Sequence, residues 1–144
     1  MKDINIRPAN INDFEEVFLL LKQLWPDYDL DKEAVKNIFL NNIETQRKYF
    51  FIVQIKDSII GLISISIVND FRHGKIAIID EFIVTEKFRG HGIGKNMLNY
   101  VSFFSKEKGC KSLELHSNLK RTKTHRFYKR NGFEETSKYF KKRF

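Results

Sequence analysis

Between Lys48 and Val84 the chain runs through three apolar stretches, "KYFFIVQIK", "SIIGLISISIVND" and "GKIAIIDEFIV", separated only by short polar turns. Runs this rich in β-branched and aromatic residues, broken at Lys56–Asp57–Ser58 and again at "NDFRHG", predict consecutive strands joined by tight connections. In the middle run Leu62, Ile63, Ile65 and Ile67 alternate only partly with Ser64 and Ser66. Three such strands in succession need helices to cover them, and the flanking segments supply the patterns.

Ahead of the strands, "INIRPAN" reads as a short first strand, Ile4 to Arg7, stopped by Pro8. A helix follows with Asn12 or Asp13 as its N-cap and Phe14, Val17, Phe18, Leu21 and Leu24 at helical spacing. "PDYDL" breaks it, and "DKEAVKNIFLNNI" predicts a second helix with Ala34, Val35, Ile38, Phe39 and Ile43 on one face. After the strands come a helix from about Gly92 to Lys106, a strand in "SLELHS", a helix in "TKTHRFYKRN" ended by Gly132, and a closing strand or strand pair in "FEETSKYFKKRF". The order β-α-α-β-β-β-α-β-α-β predicts an α/β (α+β) fold: one mixed, mostly antiparallel sheet of six to seven strands flanked by four helices. At 144 residues the chain fits a single domain, residues 1–144, without repeat or linker.

Composition narrows the setting. No apolar run reaches the length of a bilayer span and "MKDINIRPAN" lacks the form of a signal peptide. The one cysteine, Cys110, excludes an internal disulfide framework, so a reducing cytoplasmic location is expected. His73, His91, His116 and His125 lie on different elements without a paired spacing, so no metal site is expected. The net charge of +8 is lopsided: 13 of the 26 Lys and Arg but only 4 of the 18 Asp and Glu lie in 106–144. That excess suggests an anionic partner, a phosphorylated cofactor or nucleic acid, or else a solvated basic face.

The informative segment is "EFIVTEKFRGHGIGKNMLNY", where a strand passes through Gly90, Gly92 and Gly94 directly into a helix. Glycines there let backbone N–H groups curl around an anion, and the helix dipole favours negative charge. An ATP-binding P-loop would need glycine at Arg89 and Ser or Thr at Asn96; a dinucleotide loop would need glycine at Lys95. Neither pattern fits. What is present is Arg89-x-x-Gly92-x-Gly94, and "HRFYKRNGF", His125 to Phe133, follows at a later helix.

Together these two motifs resemble the pyrophosphate loop and the C-terminal signature of the GNAT superfamily of acetyl-CoA-dependent N-acetyltransferases. "LHSNLKRTKTHRFY" is most similar to the branch containing aminoalkylphosphonate N-acetyltransferase. The resemblance implies acetyl-CoA as cosubstrate, held by Phe82, Ile83, Val84, Arg89, Gly90, His91, Gly92, Ile93, Gly94, Lys95, Asn118, Arg121 and Tyr128. It implies a bulge in the strand ending "IIDEFIV", with the thioester carbonyl near the backbone of Ile83 and Val84, and Tyr128 as the acid that protonates the departing thiolate. Because an alkylammonium must lose a proton before it attacks, a carboxylate is required. Asp80 and Glu81 are the candidates, with roles undivided. Many members carry a glutamate where this chain has Ile78.

The acceptor expected is a small-molecule amine of polyamine, aminoglycoside or aminoalkylphosphonate type. Asp27 and Asp29 would join Asp80 and Glu81 as an acidic wall for a cationic acceptor, while a phosphonate would instead call for a cation such as Arg72 or Lys75. Homodimers are frequent in such families, although no segment specifies an interface. Two rival readings stand beside this one: a nucleic-acid module built on "KYFKKRF", which no RNA-binding motif accompanies, and a non-catalytic acetyl-CoA sensor.

Overall fold

The computed structural model describes residues 3–144, which divide into two compact units, one running through Glu114 and the other spanning Leu115–Phe144. The first unit holds the sheet. Strands β1 (Ile4–Pro8), β2 (Lys48–Ile55), β3 (Ser58–Asp70), β4 (Gly74–Val84) and β5 (Leu113–Leu115) follow one another in spatial order. The first three pairings are antiparallel. The β2–β3 connection is a two-residue turn, Ile55 pairing with Ser58, and Lys56 takes a left-handed φ of 52° to make it. β5 lies beside β4 after a helical crossover. The bonds from Lys111 N–H to Lys75 O (2.9 Å) and from Ala77 N–H to Ser112 O (3.0 Å) advance in the same chain direction, as in a parallel pair.

Helices α1 (Phe14–Leu24) and α2 (Lys32–Thr45) precede β2, and α3 (Ile93–Glu107) joins β4 to β5. One side of the sheet is closed by α1 and α2, where Phe14, Val17, Phe18, Leu20, Leu21 and Phe39 pack with Phe50, Ile52, Leu62 and Ile83. The opposite strand positions, Phe51, Val53, Ile63 and Ile65, are as deeply buried, as are Ile93, Met97, Leu98 and Val101 of α3. Fully buried aliphatic side chains contribute roughly 1.5–3 kcal/mol each, so the two-faced sheet carries the stability. Gly61 of β3 marks the tightest approach: a Cβ there would meet Ile83 O at 3.2 Å and Met97 Cε at 3.3 Å. Its lack of a side chain lets α3 lie against the strand end.

The start of α1 departs from the simplest expectation. Asn10, not Asn12, caps a turn of 3₁₀-helix over Ile11–Asp13 by a reciprocal capping box with Asp13. Asp13 occupies the N-cap position of α1 but spends its carboxylate on Arg7 of β1. In α2 the buried stripe is rotated from the one predicted. Phe39 is buried with Val35, Leu40 and Ile43 packed beside it, while Ile38 is 58% exposed and Ala34 faces solvent. Asp31 caps that helix through Ala34 N–H at 3.1 Å.

The second unit contains helix α4 (Thr122–Arg130). The closing strand predicted after Gly132 does not form: Phe133–Phe144 makes no ladder and Glu134–Phe144 is exposed throughout. The sheet therefore has five strands among the described residues, not six or seven. The physical reason is local. Tyr139 and Phe140 are adjacent, so a pleated strand would point them to opposite sides, and Lys141, Lys142 and Arg143 follow without an apolar alternation that could bury one face.

Candidate active site

On the α1/α2 side of the sheet the rows of cross-strand neighbours change character toward one end. Ile52, Leu62 and Ile83 form an apolar row; Phe50, Ser64 and Glu81 form the next; Lys48 and Ser66 pair in the one after. Between Ser64 and Ile65 the register slips, since Ser64 pairs with Glu81 and Ile65 with Ile79, leaving Asp80 as the extra residue of a bulge in β4. In a regular strand Asp80 and Glu81 would point to opposite faces. The bulge instead lets both carboxylates reach one cation: Lys48 Nζ lies 2.5 Å from Glu81 Oε1 and 3.5 Å from Asp80 Oδ2.

Two serines complete this cluster. Ser64, fully buried, donates its hydroxyl to Glu81 Oε1 at 2.7 Å and accepts the Glu81 N–H at 3.0 Å. Ser66 donates to Asp80 Oδ2. Glu81 and Asp80 side chains retain 15% and 28% exposure, so Glu81 is the more sheltered and Asp80 lies at the exposed edge of the cluster. The serines were visible in the sequence as breaks in an apolar run. Lys48, the first residue of β2, carried no such signal and joins the site only through the strand register.

The glycine segment forms a structure suited to an anion. After β4 a short turn over Glu86–Phe88 leads to Gly90 and Gly92, with φ of 81° and 80°, a region open to glycine and strained for other residues. Gly92 is the N-cap of α3, and no side chain caps the helix. The first N–H groups of a helix have no intrahelical acceptor, so those of Ile93, Gly94 and Lys95 face an anion-accepting end with positive dipole. Nothing lies within 4 Å of where a Cβ would stand on Gly90 or Gly92, which leaves the loop surface open. These residues fit the pyrophosphate of coenzyme A. Arg89 is anchored by its Nε to Val84 O at 2.7 Å, tying the loop to the strand end. The exposed His91 bonds through Nδ1 to Phe88 O at 3.2 Å and shapes the loop.

In the second unit Asn118 organises the approach to α4. Its side-chain oxygen accepts Lys120 N–H at 2.9 Å, and its carbonyl accepts Arg121 N–H at 3.0 Å and contacts the His125 ring at 2.8 Å. Arg121 is the N-cap residue of α4. Tyr128 is half-buried, its ring 5.6 Å from Phe127 and 5.5 Å from Phe133. Burial pushes its phenol above the ordinary range, and Arg121 opposes this in part. The group therefore stays protonated at neutral pH. Asp27 and Asp29 are exposed in the loop between α1 and α2. Arg72 belongs to the β3–β4 turn, its N–H bonded to Asp70 at 2.6 Å, and Lys75 reaches Lys108 O at 3.4 Å. The cation at the carboxylate pair is Lys48 instead. No group of His, Cys, Asp and Glu among the described residues is arranged to hold a metal ion, and no helix among them is long and apolar enough to cross a membrane.

The described residues thus combine a five-stranded sheet, a bulge in β4 and a glycine-led helix with no side-chain cap. The chain matches the Acetyltransferase (GNAT) family over residues 12–133 and belongs to it. It is therefore an acyltransferase with acetyl-CoA as cosubstrate. It is 28% identical over 132 residues to the aminoalkylphosphonate N-acetyltransferase of Salmonella typhimurium, covering 91% of this chain and 85% of that protein. It is 25% identical to an aminoglycoside N(6')-acetyltransferase type 1 of Salmonella enteritidis, covering 97% and 99%. Among solved structures it superposes with a TM-score of 0.83 on AAC(6')-Iy in complex with the bisubstrate analogue CoA-S-monomethyl-acetylneamine, at 25% identity over 97% of this chain and 98% of that one.

Proposed function

We propose that the protein, as one domain spanning both units, moves an acetyl group directly from acetyl-CoA to a primary amine of a small molecule. The observation that carries this reading is the β4 bulge, which brings Asp80 and Glu81 onto one ammonium group. An acceptor amine needs a carboxylate to hold its charged form and a carboxylate to take its proton, and the pair that holds the Lys48 ammonium has one for each task. The amine nitrogen then forms a bond to the thioester carbon as the carbon–sulfur bond breaks. In this reading Tyr128, kept protonated by burial, donates the proton that the departing thiolate takes up.

Acetyl-CoA is held in this reading by the N–H groups of Ile93, Gly94 and Lys95, by the loop Arg89–Gly90–His91–Gly92, by the backbone of Phe82, Ile83 and Val84, and by Asn118 and Arg121. The family match across both units supports treating the chain as one domain. Relatives named for aminoalkylphosphonate and for aminoglycoside acetylation support a small-molecule acceptor, and Asp27 and Asp29 would contact any further cationic group it carries. The test is release of free coenzyme A that depends on added amine. Tyr128→Phe and Glu81→Gln should each lower kcat by about 100-fold in protein that still unfolds cooperatively and still binds acetyl-CoA. Near-normal turnover in both folded variants would refute the assigned roles.

A further inference from the structure

The carboxylates proposed to receive an acceptor amine already hold one. Lys48 Nζ lies 2.5 Å from Glu81 Oε1 and 3.5 Å from Asp80 Oδ2, and 5.5 Å from the centroid of the Phe50 ring. A lysine side chain is a primary alkylamine, the chemical class that the proposed reaction consumes. Lys32 and Lys129 each pair with one carboxylate at the surface, with side chains 50% and 59% exposed; Lys48 meets two and is 18% exposed. Held by two acids and a ring, the Lys48 nitrogen has already given up the freedom that a dissolved amine must lose on binding.

Strand register sets the direction of this amine. Lys48 pairs with Ser66, one row of cross-strand neighbours beyond the Phe50–Ser64–Glu81 row, and Ile83 stands in the row on the other side of Glu81. Because Nζ meets Glu81, the lysine stem runs along the sheet toward the Glu81 row. That is also the direction of the Ile83 and Val84 backbone, where the acetyl-CoA thioester is proposed to lie.

From this geometry we infer that Lys48 is an acceptor in its own right: without a small-molecule amine, the protein acetylates its own Lys48. The Lys48 ammonium gives one proton to Asp80 or Glu81, and its nitrogen forms a bond to the thioester carbon. The carbon–sulfur bond breaks and a second proton leaves the nitrogen. One of the two protons ends on the coenzyme A thiol and the other in solvent, so an acetamide and free coenzyme A form with no other reactant. The step occurs once per chain, because an amide nitrogen is no longer a nucleophile. It removes the cation between Asp80 and Glu81 and leaves a neutral amide in the acceptor's place, so the modified protein turns over added amines more slowly. The inference rests on the proposed acetyl transfer at this carboxylate pair and adds a modification site on the chain itself.

Incubation of the purified protein with acetyl-CoA alone, followed by intact-mass measurement and peptide mapping, tests it. One acetyl group should appear per chain, at Lys48, with a rate constant independent of protein concentration. Lys32, exposed and ion-paired, reports direct reaction with acetyl-CoA in solution, which favours exposed amines; Lys48 should be modified about 10-fold faster or more. An equal amount of coenzyme A should be released, and Lys48→Arg should remove that release. Asp80→Asn combined with Glu81→Gln should slow the modification to the rate at Lys32. Whichever of spermidine, kanamycin and aminoethylphosphonate is turned over should protect Lys48 by competing for the same carboxylates. Lys48 modified no faster than Lys32, or at a rate proportional to protein concentration, overturns the inference. If coenzyme A release still depends on an added amine in that case, the transfer reading stands. No release with any amine and no acetyl group on Lys48 overturns both.

Discussion

Replacing Asp13 by Ala isolates the interaction that fixes where α1 begins. The Asp13 carboxylate accepts two parallel bonds from Arg7, at 2.8 Å and 3.0 Å, and a third from the Asn10 N–H at 2.8 Å. Asp13 is only 6% exposed, so solvent replaces little of what is lost. Truncation leaves a half-sheltered guanidinium and one backbone donor without partners. Bonds to charged groups of this kind are each worth about 1.5–3 kcal/mol before relaxation, and Arg7 retains 28% exposure through which water can partly compensate. A net loss of about 2–4 kcal/mol follows, which for a chain of this length lowers Tm by roughly 7–13 °C.

The hydrogen bond from Arg7 is also the main cause holding the Asp13 carboxyl below its ordinary pKa. A carboxyl depressed in the folded state contributes stability above its unfolded value of about 4, and that contribution is lost as pH falls through the lower folded value. The difference between wild type and Asp13→Ala should thus be full at neutral pH and shrink steadily as pH falls below about 4. Urea unfolding of both proteins at neutral and acidic pH measures it. A difference below about 1 kcal/mol at neutral pH, or one that stays constant into acid, would refute the reasoning.

Two further predictions concern the cosubstrate loop. Gly61→Ala would place a methyl 3.2 Å from Ile83 O and 3.3 Å from Met97 Cε, so the β4 backbone at Ile83 and the Met97 side chain must give by tenths of an ångström. Stability should fall by about 1–3 kcal/mol and KM for acetyl-CoA should rise, measured by chemical denaturation and steady-state kinetics. Gly92→Ala forces an alanine into a left-handed φ of 80° at a cost of roughly 1–2 kcal/mol. Acetyl-CoA binding measured calorimetrically should weaken more than the acceptor KM changes.

Much of the fold was legible because periodicity is local. Phe14, Val17, Phe18 and Leu21 are buried as their spacing requires, and Gly90 and Gly92 take the backbone conformation that their placement between strand and helix suggested. The rotated face of α2 was not legible, since Ile38 and Phe39 are adjacent apolar residues and only the position of Phe14 and Phe50 decides which is covered. The missing final strand shows a limit of a different kind. Aromatic residues among cations look like an edge strand until one asks what backbone they would pair with.

By itself, then, the amino-acid order determined the succession of elements as far as α4 and the glycine loop, and it offered the two candidate carboxylates, because each is set by neighbours within a few residues. What the tertiary structure decided is where those carboxylates point and what they meet. Strand register is a long-range property: it joins Lys48 to Ser66 across one ladder and, through a single extra residue in β4, turns Asp80 and Glu81 toward the same ammonium. No periodicity in the sequence connects a lysine at the start of one strand with acids near the end of another; the pairing of the strands does.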